Sequence, residues 1–186
     1  MHRLFLAIRP PEAVRDLLLD TMEGLAGLRW QNDEQLHLTL RFVGEVERPL
    51  AEDLAAALTA LRFQPFDIRI CGVGRFDHRQ RGALWAGVEP RAPLAALVAK
   101  IERICVGVGL PPERRAFHPH ITLARWGRAC PERSRGGGSE SLDPFHAAHA
   151  ALRSDAFTID TITLYESHLG RDGAHYVAVA DYPLPA

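Results

Sequence analysis

Cysteine is scarce: Cys71, Cys105 and Cys130 are the three in 186 residues, widely spaced and odd in number. They form neither a disulfide framework nor a zinc-ligand pair, which fits a reducing compartment. An excess of charge of one sign is missing too, with 22 Lys and Arg against 23 Asp and Glu and a formal net charge of −1. Such a chain has no global cationic field for gripping long stretches of nucleic-acid backbone. A nucleic-acid partner is therefore expected to be held locally, at an end or as a nucleotide. No apolar run approaches the length that spans a bilayer. The opening run Leu4-Phe5-Leu6-Ala7-Ile8 is short and is stopped by Arg9-Pro10, so it does not read as a secretory segment. The expectation is a cytoplasmic protein, with no membrane, no cofactor, no metal and no obligate protein partner indicated.

What is present is an ordinary globular composition, 47% hydrophobic and 24% charged, long enough to bury a sizeable core. Hydrophobic periodicity predicts strands at Leu4 to Ile8, Leu36 to Val43, Phe66 to Phe76, Ala83 to Val88, Phe117 to Trp126, Ala156 to Glu166 and Ala174 to Asp181. Helices are predicted from Pro11 to about Leu25, from Pro49 to Leu61 and from Leu94 to Val106, with a short helical turn at Phe145 to Leu152. The tract Arg133-Ser134-Arg135-Gly136-Gly137-Gly138-Ser139 reads as a flexible loop. No long linker separates the halves, so residues 1–186 are expected to form one α+β domain of two intertwined lobes.

The most informative feature is a short repeat. His37-Leu38-Thr39-Leu40 returns as His120-Ile121-Thr122-Leu123, 83 positions later (120 − 37). Side chains at i and i+2 of a strand share a face. In each copy His and Thr should therefore project into a cleft while Leu38, Leu40, Ile121 and Leu123 face the core. Two such strands about a pseudo-twofold axis bring two imidazoles and two hydroxyls together on rigid elements.

Residue type then dictates the chemistry. Histidine titrates near neutrality, so one imidazole can accept a proton while its partner donates one. In-line cleavage of a phosphodiester needs such a base and acid on opposite sides of phosphorus. The hydroxyls of Thr39 and Thr122 suit the non-bridging oxygens. Arg125 or Arg41 can supply a full positive charge. Strict alternation places Arg125 on the face opposite His120, so it reaches the site only if the strand twists or bulges.

At these residues the sequence resembles the two-histidine (2H) phosphoesterase superfamily, and within it the bacterial RNA 2′,3′-cyclic phosphodiesterases, also called 2′-5′ RNA ligases. The resemblance is carried by Arg3-Leu4-Phe5-Leu6-Ala7-Ile8, His37-Leu38-Thr39-Leu40-Arg41-Phe42-Val43-Gly44, Leu84-Trp85-Ala86-Gly87-Val88, Pro119-His120-Ile121-Thr122-Leu123-Ala124-Arg125 and Leu164-Tyr165-Glu166-Ser167. It implies a bilobal α+β fold, with two antiparallel sheets lining a central cleft and helices packed outside. It also implies metal-free hydrolysis of a terminal RNA 2′,3′-cyclic phosphate to a 2′-phosphate. In that family His37 would be the proton donor and His120 the proton acceptor. Thr39, Thr122 and Arg125 would bind the phosphate, and Phe42 would stack on a base.

Three other readings compete. His118 and His120 have a spacing used by zinc ligands, although no Asp or Glu stands at matching positions near the repeats. A module that binds RNA ends or nucleotides without turnover would use the same cleft. Ligation of a cyclic end to a 5′-hydroxyl is the reverse of hydrolysis. Trp85 reads as core packing, and Cys71 and Cys105 as buried small hydrophobes.

Overall fold

A computed structural model describes residues 1–25, 28–78, 81–127, 142–170 and 173–185. The tract 133–139 and Cys130 lie outside them. The described chain runs β1 (His2–Ile8), α1 (Glu12–Asp20), β2 (Arg29–Trp30), a 3₁₀ turn (Asp33–Gln35), β3 (Leu38–Val46) and α2 (Arg48–Leu58). It continues through β4 (Phe66–His78), β5 (Arg81–Glu89), α3 (Arg91–Gly107), β6 (His120–Trp126), α4 (Asp143–His149), β7 (Phe157–Ile159), β8 (Thr161–Gly170) and β9 (Gly173–Pro183).

The expected α+β architecture is present. The strands connect in the order β7-β4-β5-β6-β3-β1-β8-β9, with β2 paired to β6; all these pairings are antiparallel. The two sheets predicted from sequence meet at their middle through one Cα pair, Leu38 with Ile121. β3, which begins immediately after His37, and β6, which opens with His120, are therefore neighbours at the seam.

The helices form where apolar residues recur at helical spacing. Val14 and Leu18 of α1, Leu54 and Leu58 of α2, and Leu94, Leu97, Ile101 and Cys105 of α3 are buried. They join Leu38, Leu40, Ile121 and Leu123 in one hydrophobic cluster. Each such buried leucine or isoleucine contributes ~2 kcal/mol through area removed from water. The core therefore clamps β3 and β6 from the helix side and leaves their other face to the cleft.

Among the boundaries that differ from the sequence reading, three have a clear local cause. Helix α1 stops at Asp20, because the Thr21 hydroxyl and N–H both bond the Leu18 carbonyl, at 2.7 and 3.1 Å, and Gly24 follows with φ of +77°. Strand β3 runs through Gly44, which adopts φ of +89° at a register shift, rather than ending there. The single strand expected from Ala156 to Glu166 is two: β7 pairs with β4 at one end of the strand order, and β8 pairs with β1 near the other. The chain crosses between sheets at Asp160, whose carbonyl accepts from the Leu184 N–H at 2.6 Å. No helix among the described residues is long and apolar enough to cross a membrane.

Candidate active site

His37 stands immediately before β3, and His120 opens β6. The Nδ1 atom of His37 lies 2.8 Å from the Gln35 carbonyl oxygen, and that of His120 lies 2.6 Å from the His118 carbonyl oxygen. A carbonyl oxygen can only accept, so both Nδ1 atoms carry hydrogen. Each neutral ring then keeps its lone pair on Nε2 and takes its exchangeable proton there. The lock repeats at the offset of the sequence motif (37 − 35 and 120 − 118 are both 2).

Downstream of each histidine the strand bulges at equivalent positions. In β6, Thr122 stands opposite Trp85 and Ala124 opposite Leu84, so β6 has one extra residue. Leu123 and Ala124 both turn inward and are fully buried. Arg125 thereby returns to the cleft. The bulge supplies what strict alternation denied, as bulges do when they re-aim a side chain. In β3, Thr39 stands opposite Ala7 and Arg41 opposite Leu6, so Leu40 and Arg41 both turn inward and Phe42 emerges.

Arg41 is accordingly not a phosphate ligand, contrary to one of the sequence alternatives. It is 7% exposed, its Nε is 2.7 Å from Glu102, and it donates to the carbonyls of Phe42 and Pro111 at 2.7 Å each. A buried guanidinium needs such partners.

A cavity of about 310 Å³ opens on the cleft side, and His37, Thr39, Phe42 and Arg125 are among the residues that line it. His120 and Thr122 do not line this cavity. His120 is nevertheless near enough that its charge, with that of Arg125, bears on His37. Phe42 is 38% exposed, and the Arg3 guanidinium covers one ring face at 5.3 Å from the centroid.

The imidazoles sit in aromatic boxes. His37 packs on Phe5 at 5.0 Å and edge-on to Tyr176 at 5.1 Å between centroids. His120 packs edge-on to Phe76 at 4.9 Å and tilted to Trp85 at 6.1 Å. Burial is the largest influence on both and disfavours their charged forms. His37 is pushed down to about 4, with Arg125 and His120 adding repulsion and the Gln35 carbonyl opposing it. His120 is lowered in the same way, against the pull of the His118 carbonyl.

Trp85 belongs to this wall rather than to the core the sequence suggested. Its ring lies over Gly74, where an added Cβ would meet it at 2.1 Å, and reaches His118 at 4.8 Å. Gly74 is the cross-strand partner of Trp85, so only a residue without a side chain admits the indole there. His118 serves through its carbonyl. Among the described residues no group of three or more His, Cys, Asp or Glu side chains is placed to hold a metal ion.

Sequence reasoning missed the two carbonyl locks, the aromatic boxes, and Arg3 and Arg29, which also line the cavity. Gln35 and His118 share the repeat offset, but they differ in side chain, so the identity search passed over them.

Comparison with known proteins adds to the geometry. The model of the 2′-5′ RNA ligase superfamily matches residues 9–171. A curated RNA 2′,3′-cyclic phosphodiesterase from Aeropyrum pernix is 42% identical over 95 residues, covering 50% of this chain and 54% of that protein. Another, from Geobacillus stearothermophilus, is 32% identical over 170 residues, covering 89% of this chain and 50% of that protein. The chain thus spans about half the length of these two curated relatives. The crystal structure of E. coli LigT complexed with 3′-AMP superposes with a TM-score of 0.75 at 22% identity, covering 100% of this chain and 99% of that one. At that identity the likeness establishes the fold.

Proposed function

Because the chain belongs to the 2′-5′ RNA ligase superfamily, we propose that it is a metal-independent RNA 2′,3′-cyclic phosphodiesterase that opens a terminal cyclic phosphate to a 2′-phosphomonoester. The observation that supports this reading is the paired Nδ1 lock, which leaves Nε2 of both His37 and His120 as the nitrogen able to exchange a proton, at the seam of two strands.

In the proposed reaction His120 takes a proton from water as the water oxygen attacks phosphorus. The bond from phosphorus to O3′ breaks, and His37 gives O3′ its proton. Thr39, Thr122 and Arg125 hold the non-bridging oxygens, whose charge grows toward the transition state. Phe42 offers its open face to a base. In the free protein burial, with Arg125 adding to it, holds His37 toward its neutral form. An arriving phosphate anion offsets the guanidinium charge and raises the imidazole toward its donor form. The same reading assigns one histidine motif to each half of a single domain and a cytoplasmic location to the protein.

The test is product analysis. A short RNA ending in a 2′,3′-cyclic phosphate, incubated with the protein and a chelator, should yield a 2′-phosphate. A 3′-phosphate, no turnover, or turnover abolished by chelator and restored by zinc would overturn the proposal. Binding without turnover would leave the end-binding module in its place.

A further inference from the structure

The cavity beside His37 carries more positive charge than a cyclic phosphate needs. Arg3, Arg29 and Arg125 all line it, and none of its lining residues is an aspartate or glutamate. The whole chain is balanced at a net charge of −1, so this concentration is local. Among the described residues none of the three arginines forms an ion pair, unlike Arg9 and Arg15, which both bond Asp33 at 2.6 Å.

The placement of Arg29 is the sharper observation. Strand β2 pairs with β6 so that Arg29 stands directly across from Arg125. Like charges at directly opposed positions destabilise a strand pair, and nothing among the described residues neutralises these two. The Arg29 guanidinium extends toward the start of β9, where an added Cβ on Gly173 would lie 3.8 Å from its Nη1 and 3.4 Å from Gln35 Nε2. Gln35 is the residue whose carbonyl holds His37. Arg29 thus reaches the part of the cavity next to the histidine lock. Arg3, whose guanidinium carbon lies 5.3 Å from the centre of the Phe42 ring, has N–H groups that can bond an anion as well.

A 2′,3′-cyclic phosphate carries one negative charge, which Arg125 matches. Two guanidiniums remain. In an RNA that ends in a cyclic phosphate, every further phosphate lies on the 5′ side. We propose that Arg29 and Arg3 form a second phosphate subsite, which takes the phosphodiester immediately 5′ of the terminal nucleotide. The protein therefore acts on chain ends of two or more nucleotides in preference to cyclic mononucleotides. This rests on the activity proposed above and extends it to the class of substrate.

The experiment is a binding comparison by calorimetry, using diadenosine carrying a terminal 2′-phosphate with either a natural or a neutral methylphosphonate linkage. Wild-type protein should bind the charged linkage roughly ten- to a hundredfold more tightly, the scale of a hydrogen bond to a charged group. Arg29→Gln should bring that ratio close to one and reduce the salt slope of affinity by about 0.7. Arg3→Gln should lower the ratio in part. Equal affinity for the two linkages in the wild type, which needs no variant to fold, would overturn the subsite, as would failure to bind either compound. So would a ratio unchanged in both variants. Adenosine 2′,5′-bisphosphate gaining as much over 2′-AMP as the dinucleotide does would overturn the preference for chain ends. A protein that distinguishes the linkages but never opens a cyclic phosphate would lose the proposed activity and keep the subsite. One that opens cyclic ends and ignores the linkage would do the reverse.

Discussion

The strand that begins after His37 and the strand that begins with His120 are built alike and furnished differently. Both lock Nδ1 on the carbonyl two residues upstream, both place a threonine two residues downstream, and both bulge just after it. At the fifth position beyond the histidine they part: the first copy presents Phe42 and the second Arg125. Their surroundings part as well, with His37 between Phe5 and Tyr176, and His120 against Phe76, Trp85 and His118. On the proposed reading the common frame aims two equivalent proton carriers. The differing furniture would then give one side of the cleft a ring for stacking and the other a charge for phosphate, so that a symmetric scaffold would serve an asymmetric substrate.

The largest expected effect tests whether the two histidines act as a unit. His37→Ala and His120→Ala should each lower kcat on a cyclic-ended RNA by about 10²–10⁴. The double variant should fall little further, since groups acting in one step are not additive. A loss confined to one histidine would break the symmetry.

Next comes the contrast between the arginines. Arg125→Gln should cost about 10²–10³ in kcat by removing a donor to the developing charge, and Arg125→Lys should restore little because the planar fork is gone. Arg41→Gln should instead lower stability by about 3–5 kcal/mol in urea unfolding, since Glu102 would stay partly buried without its partner. Similar kinetic losses from both would erase the distinction that the bulges draw.

Acid should separate the protein's histidine burial from ordinary surface titration. His37 is held down to about 4, whereas in an unfolded chain it titrates near 6.5. Between those values the unfolded state binds the extra proton, so this contribution to stability is complete above about pH 6.5. It is lost as pH falls toward 4, on the order of 3 kcal/mol. Urea midpoints at pH 7 and pH 4.5 should differ accordingly, and His37→Asn should flatten the difference. Because both imidazoles are lowered in the free protein, the bell of kcat/KM should centre on the acid side of 6.5. A maximum above that value would contradict the burial described here.

Smallest is the aromatic position. Phe42→Ala should raise KM about tenfold and leave kcat largely alone, in keeping with ~1–3 kcal/mol for a stacked base. Phe42→Trp should reverse the loss. If kcat falls instead, Phe42 positions the strand rather than the substrate.

Much of this was legible in the sequence, for identifiable reasons. Alternation forced Leu38, Leu40, Ile121 and Leu123 inward, and all four are buried. Repetition singled out His37 and His120. Alternation failed just where the backbone departs from it. It could not place Arg125, and it left Arg41 a candidate although that side chain is enclosed. A bulge inserts one residue without any mark in composition, so parity counts beyond it are wrong by one. The crossing at Asp160 was hidden for a related reason, since β7 and β8 read as one apolar run until each finds its own neighbour. The locks made by Gln35 and His118 run through main-chain oxygens, which every residue type possesses.

The bulge after Thr122 also sets how this protein tolerates changes in length. Substituting Leu123 or Ala124 alters packing, and deleting one of them removes the bulge but leaves the arginine two residues after Thr122, on the same face. Inserting one residue there with the bulge kept does the opposite and sends Arg125 to the side now occupied by the core. A gain of three nucleotides in the coding sequence would therefore turn Arg125 away from the cleft while every side chain of the proposed site remained encoded. Among descendants of such a chain, lengthening between the threonine and the arginine should be resisted more strongly than a change in the residues that fill the interval.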